Sequence, residues 1–443
     1  MSRLSGWRSA TVVLATTVAM LAGGVMFTRG GTVQPAVPAG SAASSTALAA
    51  ANTGDLSDAI TSLQQRLRRL PADHSAWAAL GTTYVQQAAV TGDPGLYPKA
   101  QGALDRSLEI RPEDNAQALT GLASLSAARH DFASARQQAE QARSLNPYSA
   151  ANFGILSDAL LQLGRYRQSF AALQQMLDLQ PGVPSFTRAS YAWELRGKLR
   201  PARRALERAL QLASRSSDRA YCYFYLGELA WNAGDLAAAR AHYAKGLAAD
   251  PNYLPLLAGQ AKVAAATGKT RRALARYREL VQRLPVPTHL IAYADYLRSL
   301  GREQQAERQD AVVEASQQLF EAQGVNVDLE LALFDADRGD AADAVSAAHR
   351  AWRAQPSIEA ADAYAWALHA AGRDTTALTY ARKAARLGTD SALLAYHRGM
   401  IEKSLGRDTE ARNSLRRALQ VNPYFSPLHS PRAHAALDAL NRG

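Results

Sequence analysis

A chain of 443 residues that is 47% hydrophobic but only 7% aromatic draws its apolar mass from small side chains, chiefly alanine. One cysteine excludes an internal disulfide framework, and nine scattered histidines exclude a clustered His/Cys zinc site. The formal charge of +11 favours anionic partners over cationic ones, and no sustained alternation of Val, Ile, Thr and aromatics supports a β architecture.

The N-terminus opens with Arg3 and Arg8 ahead of an uncharged apolar run, Ala10 to Phe27. A basic start followed by such a run reads as an export signal or a membrane anchor. Leu21-Ala22-Gly23-Gly24 imitates a lipobox, but Gly24 stands where the lipidated Cys belongs, so lipoprotein anchoring is excluded. Residues 1–29 are expected to be a retained signal anchor with the remainder outside the cell membrane; secretion after cleavage near Ala47-Leu48-Ala49 is the alternative. A charge-free stretch rich in Gly, Ser, Ala, Pro and Thr, residues 30–51, reads as a flexible linker. Beyond it, Gly54-Asp55 opens a helical pattern through Ala59, Leu63 and Leu67 to Pro71, a half repeat that caps the front.

From residue 52 to 429 the pattern is one of paired helices. Residues 220–251 give the unit most clearly. Tyr223, Leu226, Gly227 and Ala230 fall three or four apart on one helical face, and Asn232-Ala233-Gly234-Asp235 interrupts the pattern. A second helix runs through Leu236, Ala239, Tyr243 and Leu247 to Asp250-Pro251, where proline stops it. This unit resembles the tetratricopeptide repeat, carrying Tyr223, Leu226-Gly227, Ala239, Tyr243 and Pro251 at that family's anchor positions. Ala230 and Gly246 are smaller than the family pattern, so looser packing is expected there. Trp77, Leu80-Gly81 and Tyr84 carry the same likeness in the first complete repeat.

The resemblance implies an all-α, right-handed superhelical solenoid of helix–turn–helix repeats, of the bacterial, exported or membrane-anchored kind. Proline stops at 71, 112, 147, 181, 251, 285, 356 and 423, with Gly197, Gly301 and Gly372 marking turns, divide the chain into ten repeats. Their expected starts are His74, Ala116, Ala150, Val183, Ala220, Leu254, Pro287, Val325, Ile358 and Ala392. Ser430-Pro431 begins a closing helix within residues 430–443. Asp93 to Pro98 is an insertion expected at one edge, and Glu303 to Gln323 an overlong helix expected to alter the superhelical pitch.

Charge is uneven along the array. Between Arg188 and Arg219 nine basic residues oppose three acidic ones, and between Lys262 and Arg283 seven oppose Glu279 alone. Between Arg302 and Asp343 eleven acidic residues oppose three basic ones. Most of these lie on second helices, the outer side in the repeat family, where a solvated face or a bound anionic polymer or lipid headgroup are the two readings.

No nucleotide loop, nucleophile elbow or metalloprotease motif is present, and Asp335 to Asp340 lacks the glycine and closing glutamate of a calcium loop. No cofactor, metal, catalytic residue or nucleic-acid partner is expected, and the chain reads as a non-enzyme. In the repeat family first helices line a concave groove. That likeness puts Tyr191, Glu194, Tyr221, Phe224, Glu228, Trp231, Lys262 and Asp295 along a peptide-binding surface, continued by Arg298, Trp366, His369, Tyr396 and Met400. The expected function is a scaffold binding a protein or peptide partner. An accessory or maturation subunit of a membrane enzyme or transporter, or a cell-envelope anionic polymer binder, is the alternative.

Overall fold

The computed structural model describes residues 53–442; the expected anchor and linker lie outside the described residues. Every regular element described is helical. Helix α1 (Thr53–Arg69) leads, followed by α2 (His74–Thr91) paired with α3 (Leu96–Ile110). The second and third pairs are α4 (Ala116–Ala128) with α5 (Phe132–Leu145), and α6 (Ala150–Gln162) with α7 (Tyr166–Leu179). The fourth and fifth are α8 (Val183–Glu194) with α9 (Leu199–Leu212), and α10 (Ser216–Asn232) with α11 (Leu236–Ala249). The sixth and seventh are α12 (Pro255–Ala266) with α13 (Thr270–Arg283), and α14 (Pro287–Ser299) with α15 (Glu303–Ala322). The last three are α16 (Asp328–Arg338) with α17 (Ala341–Ala354), α18 (Ile358–Ala370) with α19 (Asp374–Ala384), and α20 (Ala392–Ser404) with α21 (Asp408–Val421). Helix α22 (His429–Arg442) closes the array.

Local chemistry sets these boundaries. Asp73, Asn115, Asp131, Asp235 and Ser357 each accept a hydrogen bond from a backbone N–H three residues on, satisfying a donor the helix leaves orphaned. The turn inside most pairs places glycine at positive φ, as at Gly234 (75°). The second pair has His130 there instead, at φ 60°, a conformation that costs a side chain energy unless the surroundings impose it.

First and second helices differ in burial. Eleven of thirteen residues are buried in α6 and ten of thirteen in α18, but only three of fourteen in α9. First helices are therefore the inner layer and second helices the outer one. Small residues let the layers close. A Cβ on Gly227 would sit 2.3 Å from the Tyr243 ring and one on Gly259 2.5 Å from it, so that ring is clasped between two glycines. The looser packing expected at Gly246 is not found. Leu256 from the next pair fills the space, and a Cβ there would lie 2.7 Å from it.

Of the insertion at Asp93 to Pro98, Asp93 to Gly95 lengthen the turn between α2 and α3, and Leu96 to Pro98 join the second helix. Asp93 Oδ1 accepts the Gly95 N–H, and Leu96 and Tyr97 start α3 with Tyr97 fully buried. Hydrophobic burial recruits these residues into the helix.

The array also touches itself over long sequence distances. The turn inside the second pair meets the segment leading into the eighth: Asn326 N–H donates to Arg129 O (3.0 Å), and His130 Nδ1 to Asn326 O (2.8 Å). The third meets the ninth, where Ile358 N–H donates to the Tyr166 hydroxyl (2.7 Å) beside Leu161 and Leu195. The fourth meets the tenth through Thr389 Oγ1 to Leu195 O (2.6 Å), and the fifth meets the closing helix's approach through Asn422 Nδ2 to Trp231 O (2.8 Å). Each station joins pair n to position n+6, so six pairs make one superhelical turn and successive turns stack. Closeness of backbone is enforced at the seam: a Cβ on Gly164 would lie 2.4 Å from Pro356 O, and one on Gly197 2.5 Å from Gly388 O.

Candidate functional site

The first helices form the inner side of the coil, and the expected groove residues are carried on them. One register position organises them. Asp158, Tyr191, Glu228, Lys262, Asp295 and Trp366 each stand six residues before the turn glycine of their pair. Of these only Glu228 and Lys262 meet each other, and the rest find partners at other positions of neighbouring elements.

The pairings form a ladder. Arg188 clamps Asp158 with Nε and Nη2 (2.9 and 2.8 Å), joining α8 to α6. Asn232 Nδ2 donates to Glu194 Oε1 (2.8 Å), joining α10 to α8. Glu228 accepts from the Tyr243 hydroxyl and from Lys262 Nζ, each at 2.6 Å, joining α10 to α12. Arg338 bridges Asp295 and Asp310, each at 3.0 Å, and Arg298 also binds Asp310. Trp366 Nε1 donates to Asp337 Oδ1 (2.8 Å), and His397 Nδ1 lies 2.9 Å from Asp362 Oδ2. The Tyr191 hydroxyl crosses from the first superhelical turn to the second and donates to Glu359 Oε1 (3.0 Å).

Burial shapes the titration of these groups. It holds the Glu194 carboxyl above its ordinary range, with Glu228 adding repulsion, and it drives the Tyr191 phenol well up, with Glu359 next in importance. Cys222 is fully buried and its thiol is pushed up to about 12 by desolvation, so it behaves as a small apolar residue.

Two expected groove rings are part of the packing. Tyr221 and Trp231 are each only 8% exposed. Tyr221 stacks edge-on against Tyr225 and Tyr253, and Trp231 belongs to a core with Tyr243 and Leu256, with Lys262 Nζ 5.0 Å from its ring centre. With six pairs per turn the inner wall curves tightly, and neighbouring first helices cover rings that a wider solenoid would leave open. Phe224 remains half-buried, against Tyr225 and Tyr253. Of the farther residues, Tyr396 is buried and Trp366 nearly so, stacked on His397 at 4.1 Å, while Met400 and His369 are partly covered.

Arg188, Arg338 and Glu359 belong to this wall and were not among the expected residues. Arg188 and Glu359 could have been sought by asking what pairs with Asp158 and Tyr191. Arg338 sits in the helix-ending turn, outside the recurring register. Among the described residues no three His, Cys, Asp or Glu side chains converge as a metal site would require. No helix among them is long and apolar enough to cross a membrane.

The tetratricopeptide repeat family model matches residues 120–184 and 186–253, and a second tetratricopeptide repeat model matches residues 393–425. No curated protein matches the sequence. Among solved structures, the Cut9–Hcn1 hetero-tetramer of APC/C is 15% identical over 90% of this chain and 83% of that one, with a TM-score of 0.42. TTC0263, a thermophilic TPR protein in Thermus thermophilus, is 24% identical over 37% and 87%, with a TM-score of 0.33. PilW, a type IV pilus biogenesis factor, is 20% identical over 50% and 97%, with a TM-score of 0.38. The matched residues are tetratricopeptide repeats, and the fold they build is an all-α, right-handed superhelical solenoid of such helix–turn–helix units.

Proposed function

We propose that the chain is a non-catalytic scaffold that holds a protein or peptide partner against the inner helices of its fourth to seventh pairs. On this reading it works outside the cytoplasmic membrane, tethered there by the N-terminal run. The observation that carries the reading is the pre-set inner wall. Tyr191 is tied to Glu359, Glu228 to Tyr243 and Lys262, and Asp295 to Arg338. A ligand meeting groups already fixed loses less side-chain entropy in organising them, which favours affinity. The half-buried Phe224 ring stands one helical turn before Glu228 on α10, against Tyr243 and Tyr253, and a partly open ring beside a fixed charge suits an interface anchor.

The test is a photo-reactive side chain placed at Phe224 and, separately, at Ala244 on the exposed outer face of α11. The expected result is a partner adduct from membrane extracts at Phe224 and none at Ala244. Adducts at Ala244 alone, or at neither position, overturn the reading. Location is tested by protease treatment of spheroplasts. Digestion of the repeats with the chain in the membrane fraction is expected; an intact, protected cytosolic chain refutes the tether.

A further inference from the structure

The outer layer carries a feature the inner wall does not use. Helices α9, α11 and α13 are consecutive second helices, and their solvent faces are crowded with cations. Arg204, Arg208, Arg240, Lys245, Arg271 and Arg278 are all exposed, and none has a carboxylate partner among the described residues. Others beside them add to the excess, whereas Glu207 and Glu279 are the acidic residues within these three helices. The cations keep register between the fourth and fifth pairs, where Arg203 and Arg240 occupy the same place, as do Arg208 and Lys245; in the sixth those places hold Leu274 and Glu279, and Arg271 and Arg278 stand elsewhere on α13. The arrangement stands apart from the ladder, where almost every charge is matched.

We propose that this outer face binds a flexible linear polyanion with phosphate on each unit, wrapped around the convex side of the fourth to sixth pairs. Geometry decides against a flat bilayer. Six pairs per turn means roughly 60° of rotation per pair, so the outward normals of α9 and α13 diverge by about 120°. A plane can meet one of the three helices at a time, but a pliant chain can follow all three. The chemistry suits phosphate, since most of these cations are arginines, whose planar fork binds phosphate oxygens in pairs. Single-stranded nucleic acid is the poorer fit, because it gains from stacking its bases on rings. The aromatic residues of α11 and α13, Tyr243 and Tyr277, are buried. A second copy of the chain offers less complementary charge, since the exposed acids of α15 are diluted by Arg308.

The experiment uses the full chain with long-chain inorganic polyphosphate as probe, followed by calorimetry across a salt series. Binding is expected at low salt, weakening by ~10³-fold or more between about 50 and 200 mM if six or more contacts form. Arg204→Gln, Arg208→Gln, Arg240→Gln and Arg271→Gln should each singly flatten the salt slope by about one unit, and the four combined by about four. Their melting temperatures should hold, because the side chains are exposed and make no ion pair. Glu307→Gln on α15 should leave binding unchanged. The proposal is overturned by no binding at low salt, by binding that the combined variant retains, or by tighter binding to phosphatidylglycerol-rich vesicles than to polyphosphate. It is also overturned by a clear preference for an oligonucleotide of equal charge, or by an effect of the variants on self-association alone. Loss of polyphosphate binding would leave the Phe224 cross-link intact, so this result and the inner-wall reading fail separately.

Discussion

Trp231 shows how a side chain that looks available in sequence becomes structural. It stands on a first helix three residues before the turn glycine, yet it is buried with Tyr243 and Leu256. Trp231→Ala is therefore expected to cost ~3–5 kcal/mol in chemical denaturation, the range for deleting a buried large ring. Phe224→Ala should instead weaken partner binding by ~2 kcal/mol or more, with a smaller loss of stability. Equal losses of stability would show that both rings are core. Asp335 offers a second handle. Burial raises its carboxyl to about 6, and Asp340, Asp343 and Glu314 push in the same direction. A folded-state pKa above the unfolded value means stability is fully present below about pH 4 and is lost as pH rises through 6. Asp335→Asn should then raise the melting temperature at pH 8 and leave it unchanged at pH 4; a gain at pH 4 as large as at pH 8 would contradict this.

Among the elements, helix starts were the most legible feature, because each repeats a signal its neighbours also carry. His74, Ala116, Ala150, Val183, Pro287, Ile358 and Ala392 begin helices where the pattern placed them. Leu254 is the N-cap of a helix that starts one residue later, at Pro255, and the two larger exceptions have local causes. Helix α10 starts at Ser216 rather than Ala220, since nothing in Ser216-Ser217-Asp218 resists a helical first turn. Helix α16 starts at Asp328 rather than Val325, because Val325 is buried and Asn326 is engaged at the seam, its side chain also accepting the Asp328 N–H. The ladder was half legible: recurrence six residues before each turn glycine marks the wall, but the pairing of Tyr191 with Glu359 depends on how far the coil rotates. The seam residues invite a direct test. Asn422 is buried and its amide caps Trp231 O, so Asn422→Ala should cost ~1–3 kcal/mol by leaving that carbonyl unpaired. Amide exchange in the turn after Trp231 should accelerate with it; unchanged exchange there would remove Asn422 from the seam's energetics.

At the scale of the whole molecule, stacking changes how stability is shared. In an open solenoid each repeat senses only its neighbours, so damage at one end stays near that end. Here the seam bonds join residues 191 to 197 apart in sequence. Removing the chain beyond residue 387, the tenth pair and closing helix, should speed amide exchange at Leu195–Gly197 and at Trp231–Gly234, about six repeats upstream. Exchange altered only near the ninth pair would mean that the turns touch without supporting one another. None of this was readable from residues. The anchor pattern defines a repeat, but the pitch accumulates from small rotations over six of them, and local spacing does not encode that total.

Contact between successive coils also has a mechanical meaning. A helical-repeat protein pulled at its ends ordinarily lengthens like an open spring, giving a little at every joint from the smallest load. A coil wound with its turns touching does not. The bonds at Arg129, Tyr166, Leu195 and Trp231 lie side by side along the seam and share an axial pull. The molecule should stay nearly inextensible until they part, then stretch softly, so that tension between its ends is transmitted first and yielded to only past a threshold.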